Sequence, residues 1–296
     1  MIEVDNISKS YNEVLAVDQV SFSINKGEVL GLLGHNGAGK TTIMKMLTGF
    51  LSPDTGTINI SNMSVSTNTL DIQKIIGYLP ENCPVWSEMS IIEYLDFQLS
   101  LKNIYGQNKK KLINDAIDRT NIRDRVYDSI SSLSRGYRQR VGVAQAIMHN
   151  PEVIILDEPT NGLDPTQILS MRNLIKDLST SSTVILSTHV LQEVEAVCDR
   201  VIIIGNGKKL WDNPIKTQEN SHQILFVTNS SISKLLDSQI KFDESSNNDR
   251  IETKIELIDF SINPLIKKII DNKIEIFAIE RNVENLTTIF DKVNSL

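Results

Sequence analysis

The stretch Gly34-His35-Asn36-Gly37-Ala38-Gly39-Lys40-Thr41-Thr42 limits what this chain can fold into more than any other. An apolar run short enough for a buried strand precedes it, Val29-Leu30-Gly31-Leu32-Leu33. A helical pattern follows, with Ile43, Met46, Leu47 and Phe50 at i, i+3, i+4 and i+7. Strand, glycine-rich loop and helix together are the context of a phosphate-binding loop. Glycines let the backbone curl with its N–H groups turned inward onto phosphate oxygens. The helix adds its positive N-terminal end. Lys40 is placed to reach the β and γ phosphates of a nucleoside triphosphate, and Thr41 to give its hydroxyl to Mg2+. The competing reading is an ordinary glycine-rich turn, which the flanking strand and helix disfavour.

Three later stretches can be placed around that triphosphate. Val153-Ile154-Ile155-Leu156-Asp157-Glu158 is an apolar strand that ends in two carboxylates. Beside a phosphate loop, Asp157 is expected to hold Mg2+ through water, and Glu158 to act as general base on the attacking water. Val184-Ile185-Leu186-Ser187-Thr188-His189 is a second buried-type strand, and His189 at its end is a candidate γ-phosphate sensor. Leu133-Ser134-Arg135-Gly136-Tyr137 opens a long helix with Ser134 as N-cap. Such a helix start can bind an anion, although many helices begin with Ser-x-Gly. Asp164, Pro165 and Gln167 read as N-cap, N1 and N3 of the next helix.

The remaining chain fills in the frame. Val20, Phe22 and Ile24 alternate with polar residues at strand period within residues 1–26. Tyr11 lies in a polar stretch between two such runs, where it either stacks on a base or is a half-buried loop tyrosine. Gly49 stops the first helix, Pro53-Asp54-Thr55-Gly56 is expected as a turn, and Thr57 to Ile60 as a strand. Ile75 to Glu81 is a strand running into a proline-broken loop. Ser90 and Glu93 form a capping box for a helix through Leu101, and Leu112, Ile113, Ala116 and Ile117 mark another. Lys109-Lys110-Lys111 is expected as a solvated face, against the alternative of an anionic headgroup contact. Asn206-Gly207 is a hairpin turn. In the tail, Ile224–Val227, Ile251–Ile258 and Ile274–Ile279 read as strands, and Ile232–Leu236, Pro264–Ile270 and Asn285–Val293 as helices. The polar stretch Asp243–Asn248 reads as a loop, and the whole as a small α+β domain of ferredoxin-like kind.

Composition removes several classes. With 40% hydrophobic and 23% charged residues in 296, the chain is of ordinary globular make-up, in one large or two modest domains. A net charge of −7 argues against nucleic acid as the main partner. Cys83 and Cys198 lie far apart without a C-x-x-C, which disfavours a disulfide framework or zinc site. Glu3, Asp5 and Lys9 near the start are unlike a signal peptide. No apolar run approaches the roughly 20 residues that span a bilayer, so any membrane spans are expected from another chain.

Residues 1–215 resemble the nucleotide-binding domain of ABC transporters. The aromatic loop at Tyr11, Walker A at 34–41, Q-loop position at Glu81, signature at 133–137, Walker B at 153–158, D-loop at 161–164 and switch histidine His189 follow in order. The strings Gly77-Tyr78-Leu79-Pro80-Glu81-Asn82 and Leu133-Ser134-Arg135-Gly136-Tyr137-Arg138-Gln139-Arg140 resemble ABC-2-type exporters, in the branch that includes gliding-motility transporters. Glu81 stands where most of the family has glutamine, and the signature departs from Leu-Ser-Gly-Gly-Gln at Arg135 and Tyr137.

The resemblance implies an α/β P-loop NTPase core, 1–216. It would combine a RecA-like parallel sheet, an antiparallel β subdomain and a helical subdomain at about 82–150, with an accessory α+β domain at 217–296. It implies ATP and Mg2+, with Glu158, His189 and Lys40 catalytic. Tyr11, the loop Gly34, His35, Asn36, Gly37, Ala38, Gly39, Lys40, Thr41 and Thr42, and Ser134, Gly136 and Asp164 would bind nucleotide. Thr41, Glu81 and Asp157 would serve the metal. Two copies would pair head to tail, each ATP between one Walker A and the other signature. A multi-span permease would dock near Val85, Trp86 and Met89 at the cytoplasmic face of the membrane. The alternative is a soluble ABC ATPase acting on ribosomes or DNA.

Overall fold

The computed structural model describes residues 1–215, 222–236, 240, 242–247, 250–257, 262–282, 286, 289 and 290. Two compact units divide the chain, Met1–Asn213 and Pro214–Leu296.

The first unit begins with a hairpin of β1 (Ile2–Tyr11) and β2 (Val14–Ile24), then β3 (Val29–Leu33) and α1 (Lys40–Leu47). There follow β4 (Thr55–Ile60), β5 (Met63–Ser64), α2 (Thr69–Ile75), β6 (Ile76–Leu79), α3 (Ile91–Leu101), α4 (Gln107–Thr120) and α5 (Arg135–Ile147). The unit closes with β7 (Val153–Asp157), α6 (Pro165–Ser179), β8 (Thr183–Thr188), α7 (Leu191–Val197), β9 (Arg200–Gly205) and β10 (Lys208–Pro214). One sheet has the order β2-β1-β4-β5 with antiparallel pairs; the other runs β10-β9-β3-β8-β7-β6. In the second sheet β3 pairs in parallel with β8 and β9, and β7 with β6 and β8.

Sequence explains this layering. β3, β7 and β8 are buried at every position, as expected of parallel strands covered on both faces. β2 alternates, burying Val20, Phe22 and Ile24. A single core joins the two sheets: Ile2, Val4 and Ile58 from one, Leu30, Ile155 and Ile185 from the other, with Ile43, Met46 and Leu47 of α1. Each such side chain contributes about 1.5–3 kcal/mol by leaving water. Because α1 is locked into that core, the loop before it is held at the C-terminal edge of β3.

Local signals set several boundaries. Gly49 (φ 70) follows the end of α1, and Asn206 and Gly207 (φ 48 and 76) turn β9 into β10. Capping boxes at Ser90/Glu93 and Asp164/Gln167 start α3 and α6. Two expectations change. Thr55 and Gly56 belong to β4, not to a turn, because Gly56 (φ 85) passes so close to β1 that a Cβ would lie 2.4 Å from the Asp5 and Asn6 carbonyls. The lysine run is not wholly solvated: Lys109 is buried, its ammonium 2.7 Å from Asp96 Oδ1 and from Ser100 Oγ.

The second unit contains β11 (His222–Thr228), β12 (Phe242–Asn247), β13 (Arg250–Leu257), α8 (Asn263–Asp271) and β14 (Ile276–Asn282). Its antiparallel sheet has the order β12-β13-β11-β14, the ferredoxin-like order. Ile224, Phe226 and Ile255 pack there on Ile232, Leu265 and Ile269. The polar stretch expected as a loop is strand β12, paired with β13 from Phe242 to Asn247. Its side chains are exposed from Phe242 to Ser246, so no apolar alternation marks it. Ile232–Leu236 yields only a 3-10 turn, Ser233–Leu235, too short for an α-helix. Most of the expected helix 285–293 and the 216/217 boundary lie outside the described residues.

Candidate active site

The phosphate loop, β2 at Ala16 and the chain just past β6 and β7 surround a cavity of about 380 Å3. Ala16, Asn36, Gly37, Gly39, Lys40, Thr41, Thr42, Glu81 and Glu158 line it. The loop's curl is enforced sterically. Gly37 and Gly39 have φ of 82 and 109, and a Cβ on Gly39 would lie 2.5 Å from the Ala16 carbonyl. A Cβ on Gly34 would lie 2.3 Å from the Ile204 carbonyl, so β9 forbids a side chain there. Lys40 is buried and donates to the Gly34 and His35 carbonyls at 2.7 and 3.2 Å. Those bonds hold the ammonium across the mouth of the loop, where a phosphate would replace carbonyl partners with charged ones.

The carboxylates converge on the same point from β7. Asp157 is fully buried, and Oδ1 accepts from Ser187 Oγ and, at 3.4 Å, from Thr41 Oγ1. Glu158 stands just past the strand with φ 51, its N–H shared between the Ser187 carbonyl and hydroxyl at 3.1 Å each. That turn brings its carboxylate between two groups. Oε1 lies 3.6 Å from Lys40 Nζ, and Oε2 lies 2.9 Å from His189 Nδ1. Behind them Glu193, itself buried, accepts from Thr160 Oγ1 and Thr188 Oγ1, the latter at 2.7 Å. Ser187, Glu193 and Ala16 escaped the sequence reading. The one available signal was the polar pair Ser187-Thr188 closing an apolar strand.

Two buried oxygens at this point, Asp157 Oδ2 and Glu158 Oε1, lack a hydrogen-bond partner. Among the described residues no group of three or more His, Cys, Asp or Glu could hold a metal alone. One carboxylate and one hydroxyl, with phosphate and water completing the shell, is how hard Mg2+ is commonly held. The donors therefore fit Mg2+ that arrives with a nucleotide.

The other expected site residues lie outside the cavity lining. Tyr11 ends β1 and is 45% exposed. Ser134 caps α5, accepting from the Tyr137 N–H at 3.4 Å. Gly136 faces α6, where a Cβ would lie 2.5 Å from the Gln167 side chain. Asp164 caps α6 through the Gln167 N–H at 2.9 Å. The two departures in the signature have partners of their own. The Arg135 guanidinium covers Gly162, whose added Cβ would lie 2.5 Å from its Cζ. Tyr137 donates to Asp124 at 2.9 Å and carries the Arg125 and Arg140 guanidinium carbons 5.9 and 5.7 Å from its ring centre. Cys83, near Glu81, has φ 38 and donates Sγ to the Arg138 carbonyl at 3.3 Å. Burial pushes its thiol up to about 11.

A parallel sheet with a phosphate loop, an antiparallel sheet at one side and a helical insert carrying Ser134 and Gly136 defines an ABC-type P-loop ATPase. Residues 17–161 match the family model described as ABC transporter. The ABC transporter ATP-binding protein YxlF of Bacillus subtilis (strain 168) is 36% identical over 235 residues, 79% of this chain and 78% of that one. The bacitracin transport ATP-binding protein BcrA of Bacillus licheniformis is 36% identical over 216 residues, 72% and 70% of the two chains. The chain belongs to the ATP-binding proteins of ABC transporters, a family of ATPases. Its fold matches the dimeric ATP-binding cassette MJ0796, solved in a post-hydrolysis state with ADP and Pi, at a TM-score of 0.68 and 23% identity over 72% of this chain and 98% of that one. No helix among the described residues is long and apolar enough to cross a membrane.

Proposed function

We propose that this chain is the ATP-hydrolysing subunit of an ABC-2-type exporter, working as a head-to-tail pair on a separate multi-span permease. One observation carries the catalytic half: Glu158 places one carboxylate oxygen 3.6 Å from Lys40 and the other 2.9 Å from His189, at the cavity lined by the phosphate loop. In this reading the backbone amides from Gly34 to Thr42 bind the phosphate chain, and Lys40 neutralises its β and γ groups. Glu158 takes the proton of the attacking water, and His189 orients Glu158 and senses the γ-phosphate. Thr41 and Asp157, with Glu81 from the facing loop, are the residues that would hold Mg2+. When bound, Mg2+ would neutralise charge developing on the phosphate oxygens.

Ser134 and Gly136 lie outside the cavity lined by their own Lys40, which supports their serving a partner copy's nucleotide. Tyr11 is exposed enough to stack on adenine, and Asp164 belongs at the pairing surface in this reading. The permease contact falls on the loop after Glu81, where exposed Trp86 rests on Phe97 with ring centres 4.7 Å apart. Residues 1–216 would form the ATPase domain, and 217–296 an accessory domain. Work at the cytoplasmic face of the membrane follows from the permease partnership, and the name of BcrA supports a transport role.

The test is capture of tagged Glu158→Gln protein with ATP from solubilised membranes of the native cell, followed by identification of what accompanies it. A multi-span membrane protein is the expected companion. Ribosomes, DNA or a soluble protein alone would keep the ATPase and overturn the transporter.

A further inference from the structure

We propose that the carboxylate of Glu81 makes this site discriminate against free nucleotide, widening its preference for the metal complex. The inference rests on the reading of the cavity as the ATP site. Three carboxylates surround that space: Glu81 and Glu158 line it, and Asp157 stands behind Thr41. Lys40 is the one fixed cation among the lining residues, and it is already engaged by two carbonyls and by Glu158. Asp157 Oδ2 and Glu158 Oε1 are buried oxygens without a hydrogen-bond donor, and Glu158 Oε1 is offset by the Lys40 ammonium at 3.6 Å. Asp157 is 0% exposed and Glu158 5%, which leaves little solvent to screen them.

A free triphosphate entering this space would bring further negative charge against three carboxylates and one lysine. A divalent cation carried in by the nucleotide reverses that balance, because it meets the orphaned oxygens and the phosphates together. Glu81 is the variable part. Asp157 and Glu158 sit on the buried strand end, whereas Glu81 reaches the cavity from the loop after β6, where its side chain is exposed. Glutamine at that position would keep an oxygen toward the metal and remove one full charge. Glu81 is thus a specificity-determining residue that discriminates between metal-bound and free nucleotide.

The experiment measures binding of the non-hydrolysable imido analogue of ATP to the full-length protein by calorimetry. It is run with Mg2+ and with excess EDTA, for wild type, Glu81→Gln and Glu81→Ala. The expected wild-type preference for the Mg2+ complex is about a hundredfold, and both variants should narrow it by roughly tenfold, mainly by tighter metal-free binding. Two substitutions guard against one failing to fold, and the wild-type ratio stands alone. Equal wild-type affinity in Mg2+ and EDTA overturns the inference and leaves the ATP site intact. A preference that persists unchanged in both variants overturns the role of Glu81. Absence of saturable binding in both buffers overturns the site assignment, and the inference with it.

Discussion

At the scale of single residues, backbone geometry does much of the placing. Glu158 adopts a left-handed φ of 51, uncommon for a glutamate, and holds it because Ser187 accepts its N–H twice. Glu158→Gln keeps the shape and removes the proposed base, so turnover should fall by roughly 10²- to 10⁴-fold with ATP binding retained. Phosphate release and nucleotide titration, measured side by side, check both halves. His149 offers a pH test away from the site. Its Nε2 lies 3.0 Å from the Ile76 carbonyl, and burial lowers its pKa from 6.5 to about 4. As pH falls, the unfolded chain takes up the proton first. The stability from neutral His149 is therefore complete above about pH 6.5 and is lost progressively toward pH 4, by about 2 kcal/mol at pH 5. Denaturant titrations at pH 7.5 and 5 should show a smaller pH difference for His149→Gln than for wild type. An equal difference would remove His149 as a source of acid lability.

At the scale of elements, close approach and buried staples decide the order of the layers. Gly77 lets α5 lie against β6, since a Cβ there would sit 2.0 Å from the Ala146 carbonyl. Gly77→Ala must move a helix or a strand and should cost about 1–3 kcal/mol in chemical unfolding. Glu193 ties the segment after Glu158 to the one before His189 through Thr160 and Thr188. Glu193→Ala leaves two buried hydroxyls without their acceptor, for a loss of about 1–3 kcal/mol. It should also lower kcat more than it raises KM, because Glu158 and His189 lose their common anchor. A loss of stability with unchanged kcat would make Glu193 purely structural. These same elements mark where sequence reading reaches and stops. α1, α3 and α6 carry their own stop or capping residues, and the phosphate loop, Asp157, Glu158 and His189 each sit against an apolar strand. By contrast α2 and α7 have seven residues each and no side-chain cap, so packing alone holds them. β12 exists because β13 offers it a ladder. Ser187 and Glu193 take their meaning from partners about thirty positions away, which no local pattern announces.

At the scale of the whole molecule, the phosphate loop and the α5 helix start belong to one chain but not to one cavity. Gly136 stands against α6 and Arg135 against the loop at Gly162, while Lys40 and Glu158 line the space for phosphate. Under head-to-tail pairing each chain donates half of two separate sites. That arrangement has a genetic reading. A Lys40→Ala chain is defective in one half and a Ser134→Arg chain in the other, and neither should hydrolyse ATP when purified alone. Co-expressed, they form mixed pairs in which one site inherits both lesions and the other inherits none. Two inactive alleles should then restore part of the activity to each other, whereas two alleles that both strike the phosphate loop should not.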